Sequence, residues 1–313
     1  MSSIRWQHND PNIYLYVNSR WYRYDATSYP VGEGAMGIVY LGFDCATNDK
    51  VAVKMLRREY WNDIQIRNRL KLEASIVLNH PHIIRMIGYC EDSSGDGPLY
   101  VLSEYICGVT FKEHVLQQLT YLNTSTEERF NKIVSEFIPV LGAVGHLHSY
   151  GVIHRDIKPM NLMFQDGYML KLMDLGIAKA DYFFDAHLKG FIGSRPFAAP
   201  EQIVADDVEA IIDKRADIYA LGVTLSYLLA DHFPLQKTDK VPAALADIIA
   251  TATEKDPDFR YQSTDEMQDA LDIYLADYAS KRYFHGKQTL TWIFTVGVIS
   301  VLILFIITML FKI

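Results

Sequence analysis

The sequence predicts an α+β chain of two lobes, the first β-rich and the second α-helical, with one C-terminal transmembrane helix. Three observations carry this reading. Strand-like runs bounded by turn residues crowd the first third of the chain. From Thr126 onward, apolar residues recur at helical spacing. The final run, "TLTWIFTVGVISVLILFIITMLF", carries no charge.

The elements follow in order. Residues 11–25, "PNIYLYVNSRWYRYD", alternate around Asn18-Ser19 and read as a β-hairpin, an N-terminal extension over 1–24. The first lobe, 25–107, continues with "GIVYLGFD", "KVAVKML", "HIIRMIGYCED" and "LYVLSEYI". A helical stretch over 61–79 separates the second run from the third, and "EDSSGDGP" is a turn before the fourth. In the second lobe, 108–280, "EERFNKIVSEFIPVLGAVGHLHSYG" repeats its apolar residues at i, i+3, i+4 and i+7, as a long helix does. Further helices are expected over 215–231, 241–253 and 264–279. No internal repeat or low-complexity segment interrupts the chain.

At about 1.5 Å per residue, the run 289–311 extends about 33 Å as a helix, enough for a hydrocarbon core of about 30 Å. A buried core helix is the alternative, but the run is apolar on every face. The basic segment 281–288 precedes it, with Lys281, Arg282, His285 and Lys287. The positive-inside rule then puts both lobes in the cytoplasm. The expectation is a single-pass membrane protein. "MSSIRWQHND" has no apolar run of a signal peptide. Gly297 and Ser300 are small but off GxxxG spacing, so pairing into a homodimer stays open.

The 313 residues are half hydrophobic, and the net charge of −8 argues against a nucleic-acid partner. Cys45, Cys90 and Cys107 form no CxxC pair and are expected as reduced thiols. His80, His82, His146 and His148 lack metal-ligand spacing, so no zinc is expected.

"VGEGAMGIVY" sets Gly32, Gly34 and Gly37 at G-x-G-x-x-G spacing, with Val31, Glu33 and Val39 around them. It links two strands and opens no helix, so it is not a dinucleotide fingerprint. Its backbone N–H groups are free to face phosphates. "VAVK" ends a strand on Lys54, two residues after Ala52. A lysine in a buried-strand pattern points inward and needs an anion. "HRDIKPMN" and "MDLG" then bring Asp156, Lys158, Asn161 and Asp174. Phosphoryl transfer needs such a set: a carboxylate to take a hydroxyl proton, oxygens for Mg²⁺, and a cation for the migrating group. The bland alternative is a loop of capping Asp and Asn residues. It is remote with the glycine loop and Lys54 in the same chain and order.

These motifs, with "NHPHI", "APEQI", "DIYALGVTL" and "KDPDFRYQS", resemble the eukaryotic-like (Hanks-type) Ser/Thr protein kinases, most closely their bacterial membrane-anchored branch. The resemblance runs over 25–279. It implies the bilobal protein-kinase fold, a protein substrate, ATP with Mg²⁺ (or Mn²⁺), and a bacterial inner membrane. It also implies roles. Lys54 holds the α- and β-phosphates, Asp156 is the catalytic base, and Lys158 touches the γ-phosphate. Asn161 and Asp174 bind Mg²⁺. Val31, Gly32, Glu33, Gly34 and Gly37 cover the nucleotide. Val39, Ala52 and Met163 sandwich adenine, and the Glu104 carbonyl and Ile106 N–H bond to it. Ser103 takes the gatekeeper position, where so small a residue leaves a deeper back pocket. Leu175 packs as an apolar plug. Glu201 pairs with Arg260, and Asp217 holds the backbone around Asp156. Lysine at Lys158 matches the Ser/Thr class.

The partner of Lys54 departs from the pattern. Ten residues before the proline of "NHP" the chain has Lys71, and Glu73 comes two residues late. Glu73 is chosen because Val77, four residues on, would supply the apolar neighbour of the next turn, and Leu70 shares its face. A solvated helix-surface glutamate is the alternative. The resemblance makes residues 174–201 the activation segment. Its middle carries Asp181, Tyr182, Phe183, Phe184 and Asp185 and no threonine. Ser194 matches the hydroxyl that contacts Asp156 and Lys158. The segment is therefore expected to order without Ser/Thr phosphorylation, with Asp181 or Asp185 pairing with Arg155. An active kinase is the leading reading. A pseudokinase-like scaffold is the rival, disfavoured because Lys54, Asp156, Asn161, Asp174 and the three glycines are all present. A small-molecule phosphotransferase is weaker still.

Overall fold

A computed structural model describes residues 3–6, 10–34, 36–92, 96–121, 125–175, 179–180, 196–204, 212–232, 234–236 and 240–282. The apolar run 289–311 lies outside these residues, as do Asp181, Tyr182, Asp185 and Ser194. Among the described residues no helix is long and apolar enough to cross a membrane.

The first lobe is one antiparallel sheet. Its strands are β1 (Ser3–Trp6), β2 (Asn12–Val17), β3 (Arg20–Asp25), β4 (Gly32–Glu33), β5 (Gly37–Asp44), β6 (Lys50–Leu56), β7 (Met86–Glu91) and β8 (Leu99–Glu104). They lie in the order β1-β2-β3-β5-β6-β8-β7, with β4 paired to β5. The expected hairpin is β2–β3. Asn18 and Ser19 sit at φ 49° and 65°, the left-handed pair that a tight two-residue turn requires. The sequence reading did not contain β1, whose four residues are too few for alternation to show.

Side chains alternate across this sheet, so its two faces do different work. On one face Leu15, Val17, Tyr22 and Tyr24 of the hairpin pack with Val51, Val53, Cys90, Tyr100 and Leu102. On the other, Leu56, Leu99 and Val101 pack against Leu70 and Ala74 of α1 (Ile64–Ser75). The hairpin tip docks on β7, where Asn18 Nδ2 donates to the Ile87 carbonyl at 2.6 Å. Gly88 makes room for it: at φ 140° beside a register shift, a Cβ there would lie 2.8 Å from Val17.

Helix α1 is shorter than the expected 61–79. Asp63 caps it by accepting from the Gln65 and Ile66 N–H groups, and Ile76 leaves it in an extended conformation. The chain is drawn away because residues 82–84 pair with the second lobe: Leu172 N–H donates to the His82 carbonyl and Ile84 N–H to the Leu172 carbonyl. Val77 is therefore off the helix and 84% exposed. The neighbour invoked in choosing Glu73 is not there, while Leu70 is buried as expected. For the same reason "HIIRMIGYCED" becomes strand only at Met86.

The second lobe holds α2 (Phe111–Tyr121), α3 (Thr126–Ser149), α4 (Pro200–Val204), α5 (Arg215–Ala230) and α6 (Ala243–Ala252). Short strands β9 (Gly108–Thr110), β11 (Leu162–Gln165) and β12 (Met169–Leu172) form a small sheet, and β10 (Val152–Ile153) pairs with β13 (Lys179–Ala180). Ser125 and Glu128 close a capping box at the start of α3. Helix α5 is buried from Ala216 to Ser226 except at Tyr219, which makes it the core of this lobe. A last helix, α7, covers 264–282. The chain divides into two units, Met1–Gln268 and Asp269–Ile313.

The hairpin is thus part of the first lobe's core. Leu15 is fully buried, so Leu15→Ala should cost about 2–5 kcal/mol of unfolding free energy, measured by urea titration. A loss under about 1 kcal/mol would mean that the extension is dispensable to this core.

Candidate active site

Strand β6 places Lys54 on the sheet face that carries α1. Its Nζ lies 2.8 Å from Asp174 Oδ1 and 3.8 Å from Glu73 Oε2. Glu73 is only 4% exposed, which excludes a solvated surface glutamate. Lys71 faces elsewhere, 2.6 Å from Glu91 on β7. Burial pushes the Glu73 carboxyl up to about 7, an effect that Lys54 opposes and Asp174 reinforces. Burial alone would pull Lys54 down, but Glu73 and Asp174 together carry it above its ordinary value. Asp174 is lowered, chiefly by the Lys54 charge.

The loop 154–161 lies on α5. Asp217 at the start of that helix is fully buried and accepts the His154 and Arg155 N–H groups, each at 2.8 Å. Burial would raise its pKa. The hydrogen bond from His148 at 2.8 Å and the backbone donors outweigh that and keep it low. Thr224, two turns along, donates to the Ile157 carbonyl at 3.3 Å. Within the loop, Asn161 Nδ2 donates to the Asp156 carbonyl at 2.8 Å and to Asp156 Oδ2 at 3.1 Å. Lys158 Nζ lies 2.6 Å from the same oxygen. Asp156 Oδ1 is buried and accepts no hydrogen bond among the described residues. One carboxylate oxygen is clamped and the other is left to accept.

A cavity of about 700 Å³ lies over this loop, with Asp156, Lys158, Asn161 and Asp174 in its wall. Gly32, Glu33, Gly34 and Gly37 line it too, with Val39, Ala52 and Met163. A Cβ on Gly37 would meet the Met55 carbonyl at 2.9 Å, so packing demands that glycine. Gly34 has nothing closer than 3.8 Å and is bare for another reason. Arg57 holds the loop, donating from Nε to the Gly34 carbonyl at 3.0 Å and pairing with Glu33 at 3.1 Å. Ser103 lines the cavity together with Leu70, Ile84 and Met86. Val31 is half exposed and is not among the lining residues. Glu104 ends β8, and Ile106 lies in the connection to β9. The Glu104 carboxylate takes Lys171 and the Arg85 N–H, both at 2.9 Å, and Ile106 is buried.

Asn161 and Asp174 offer an amide and a carboxylate oxygen. Because Asn161 Nδ2 is committed to Asp156, its oxygen remains the accepting end. Two hard oxygen donors, with phosphates supplying the rest, suit Mg²⁺. No cluster of three or more His, Cys, Asp or Glu side chains poised for a metal occurs among the described residues.

Two supports flank the loop. Arg260, its side chain fully buried, grips Glu201 through two bonds of 2.7 and 2.8 Å. Leu175 is buried beside Asp174. Arg155 and Asp174 adopt left-handed backbone, at φ 66° and 57°. Arg57, Thr224 and Gln202 were not singled out from the sequence, and His148 was weighed there only as a metal ligand. Each acts on a partner distant in the chain and carries no periodic signal.

The protein kinase domain family matches residues 26–289. The serine/threonine-protein kinase PrkC of Bacillus subtilis is 29% identical over 279 residues, covering 81% of this chain and 41% of PrkC. The serine/threonine-protein kinase PknB of Mycobacterium tuberculosis is 30% identical over 267 residues, 76% of this chain and 41% of PknB. The chain thus spans about two fifths of the length of these relatives. Among solved structures, the Mycobacterium tuberculosis PknI kinase domain superposes with a TM-score of 0.60 at 25% identity, covering 80% of this chain and 95% of that domain. The two-lobed fold, the cavity and these relatives agree: the chain belongs to the protein kinase family, on its bacterial Ser/Thr branch.

Proposed function

We propose that the protein is an ATP-dependent serine/threonine protein kinase, held at a membrane by residues 289–311 with both lobes in the cytoplasm. The observation that carries the activity is the asymmetry of Asp156. Lys158 and Asn161 hold one oxygen, and the other is buried and open to accept. That oxygen can take the proton of an acceptor hydroxyl. Lys158, beside it, can meet negative charge on the migrating phosphoryl. Lys54 presents its ammonium to the nucleotide phosphates from the face where Glu73 and Asp174 keep it charged. The bare glycine loop offers backbone N–H groups above them. Asn161 and Asp174 would hold Mg²⁺, which supplies charge neutralisation at the phosphates when bound. The uncharged run 289–311 and the basic residues before it support the membrane assignment.

The test is labelling from radioactive ATP by the full-length protein, on itself and on a general protein substrate. Asp156→Asn should reduce phosphate transfer by about 10²–10⁴-fold without changing the fold. No Asp156-dependent transfer would favour a scaffold, and labelling of small molecules alone would favour a metabolite kinase.

Two more outcomes are expected. The folded-state pKa of Glu73, about 7, stands above the 4.5 of an ordinary carboxyl. Its proton therefore favours the folded state, fully below about pH 4.5 and progressively less as pH rises through about 7. Relative to Glu73→Gln, the wild type should lose thermal stability as pH climbs across this window. A pH-independent difference in Tm would refute the shift. In cell fractions, the full chain should sediment with membranes and resist salt extraction, and a chain lacking 289–313 should not. Recovery of the full chain in the soluble fraction would rule out the anchor.

A further inference from the structure

Gln202 follows Glu201 on α4 and is 3% exposed. Both ends of its amide are used by distant backbone. Its Oε1 accepts the Ala199 N–H at 3.0 Å, and its Nε2 donates to the Arg155 carbonyl at 3.2 Å. The first partner lies on the segment 196–204. The second belongs to the peptide that joins Arg155 to Asp156. The N–H of that same peptide donates to His154 Nδ1 at 3.3 Å. The Arg155–Asp156 peptide is thus held at both ends, by an imidazole on one side and by Gln202 on the other.

This peptide needs holding. Arg155 sits at φ 66°, a conformation unfavourable for a non-glycine residue that persists only where surroundings enforce it. The N–H of Arg155 is taken by Asp217. Rotation about the next peptide would swing the Asp156 Cα and its open Oδ1. Only a side chain that accepts at one end and donates at the other satisfies both buried backbone groups.

We propose that Gln202 is a positioning residue for phosphoryl transfer. It fixes the peptide that aims Asp156 and ties the 196–204 segment to it, so that acceptor-side structure and base move together. The proposal rests on the kinase reading for its activity arm.

The test uses the full-length chain with Gln202→Leu and Gln202→Glu. Leucine removes both bonds. Glutamate keeps the acceptor but, when ionised, faces the Arg155 carbonyl with a second acceptor. A protonated carboxyl restores the donor. We expect Gln202→Leu to lower kcat about 10- to 100-fold with the KM for ATP little changed. Gln202→Glu should show a kcat ratio to wild type that recovers about fivefold or more between about pH 8 and about pH 6 as the introduced carboxyl takes up its proton. Hydrogen exchange should quicken in both 150–160 and 196–204 in the leucine variant, leaving the first lobe unchanged. An unchanged kcat, a pH-independent loss in Gln202→Glu, or quickened exchange confined to 196–204 would overturn the proposal. If the leucine variant does not fold, the pH profile of the glutamate variant decides. If the wild type transfers no phosphate, the kinase reading fails, and hydrogen exchange in the variants still decides the coupling.

Discussion

Asp217 is a fully buried carboxylate, and the second lobe is arranged around satisfying it. Taking such an ion out of water costs several kcal/mol unless donors replace the lost hydration. Here they are the N–H groups of His154 and Arg155 and the ring of His148. That requirement pins the loop 154–161 to the helix at the centre of the lobe. Thr224 on the same helix adds a second point at Ile157. Asp156, Lys158 and Asn161 inherit their positions from this arrangement, and the cavity forms above them.

The first lobe answers to a different constraint, one cation shared by two carboxylates. Lys54 is reached by Glu73 from α1 and by Asp174 from the second lobe. The three groups carry one negative charge in excess when all are ionised, and burial makes that state costly. The raised pKa of Glu73 is the consequence. The same cluster connects the helix, the sheet and the second lobe, so the position of α1 is sensed directly at Lys54. The N-terminal hairpin stiffens the arrangement from behind, because Val51 and Val53 alternate with the cavity-lining Ala52 and Lys54.

Much of this was legible in the sequence where a short pattern carries the chemistry. Lys54, Asp156, Asn161, Asp174 and Asp217 sit in motifs whose spacing is set by local backbone, and the structure brings them together. The hairpin was readable from its alternation and from Asn18-Ser19. The choice of Glu73 over Lys71 placed the right residue near Lys54 with a partly wrong argument. Helix periodicity put Val77 on a turn that the chain abandons to reach Leu172 in the other lobe. Arg57 and Gln202 escaped notice because each binds backbone carbonyls, which every residue possesses and no pattern marks.

The sequence alone determined the division into a strand-rich and a helix-rich lobe, the glycine-rich loop, and the acidic, basic and amide groups at the cavity. Side-chain period and local turn chemistry act over a few residues and so are written in order along the chain. The tertiary structure alone decided where α1 ends, which carboxylate shares Lys54 with Asp174, and how the Arg155–Asp156 peptide is held. Those outcomes depend on burial and on hydrogen bonds between residues tens of positions apart, whose strength exists only once water has been excluded between them.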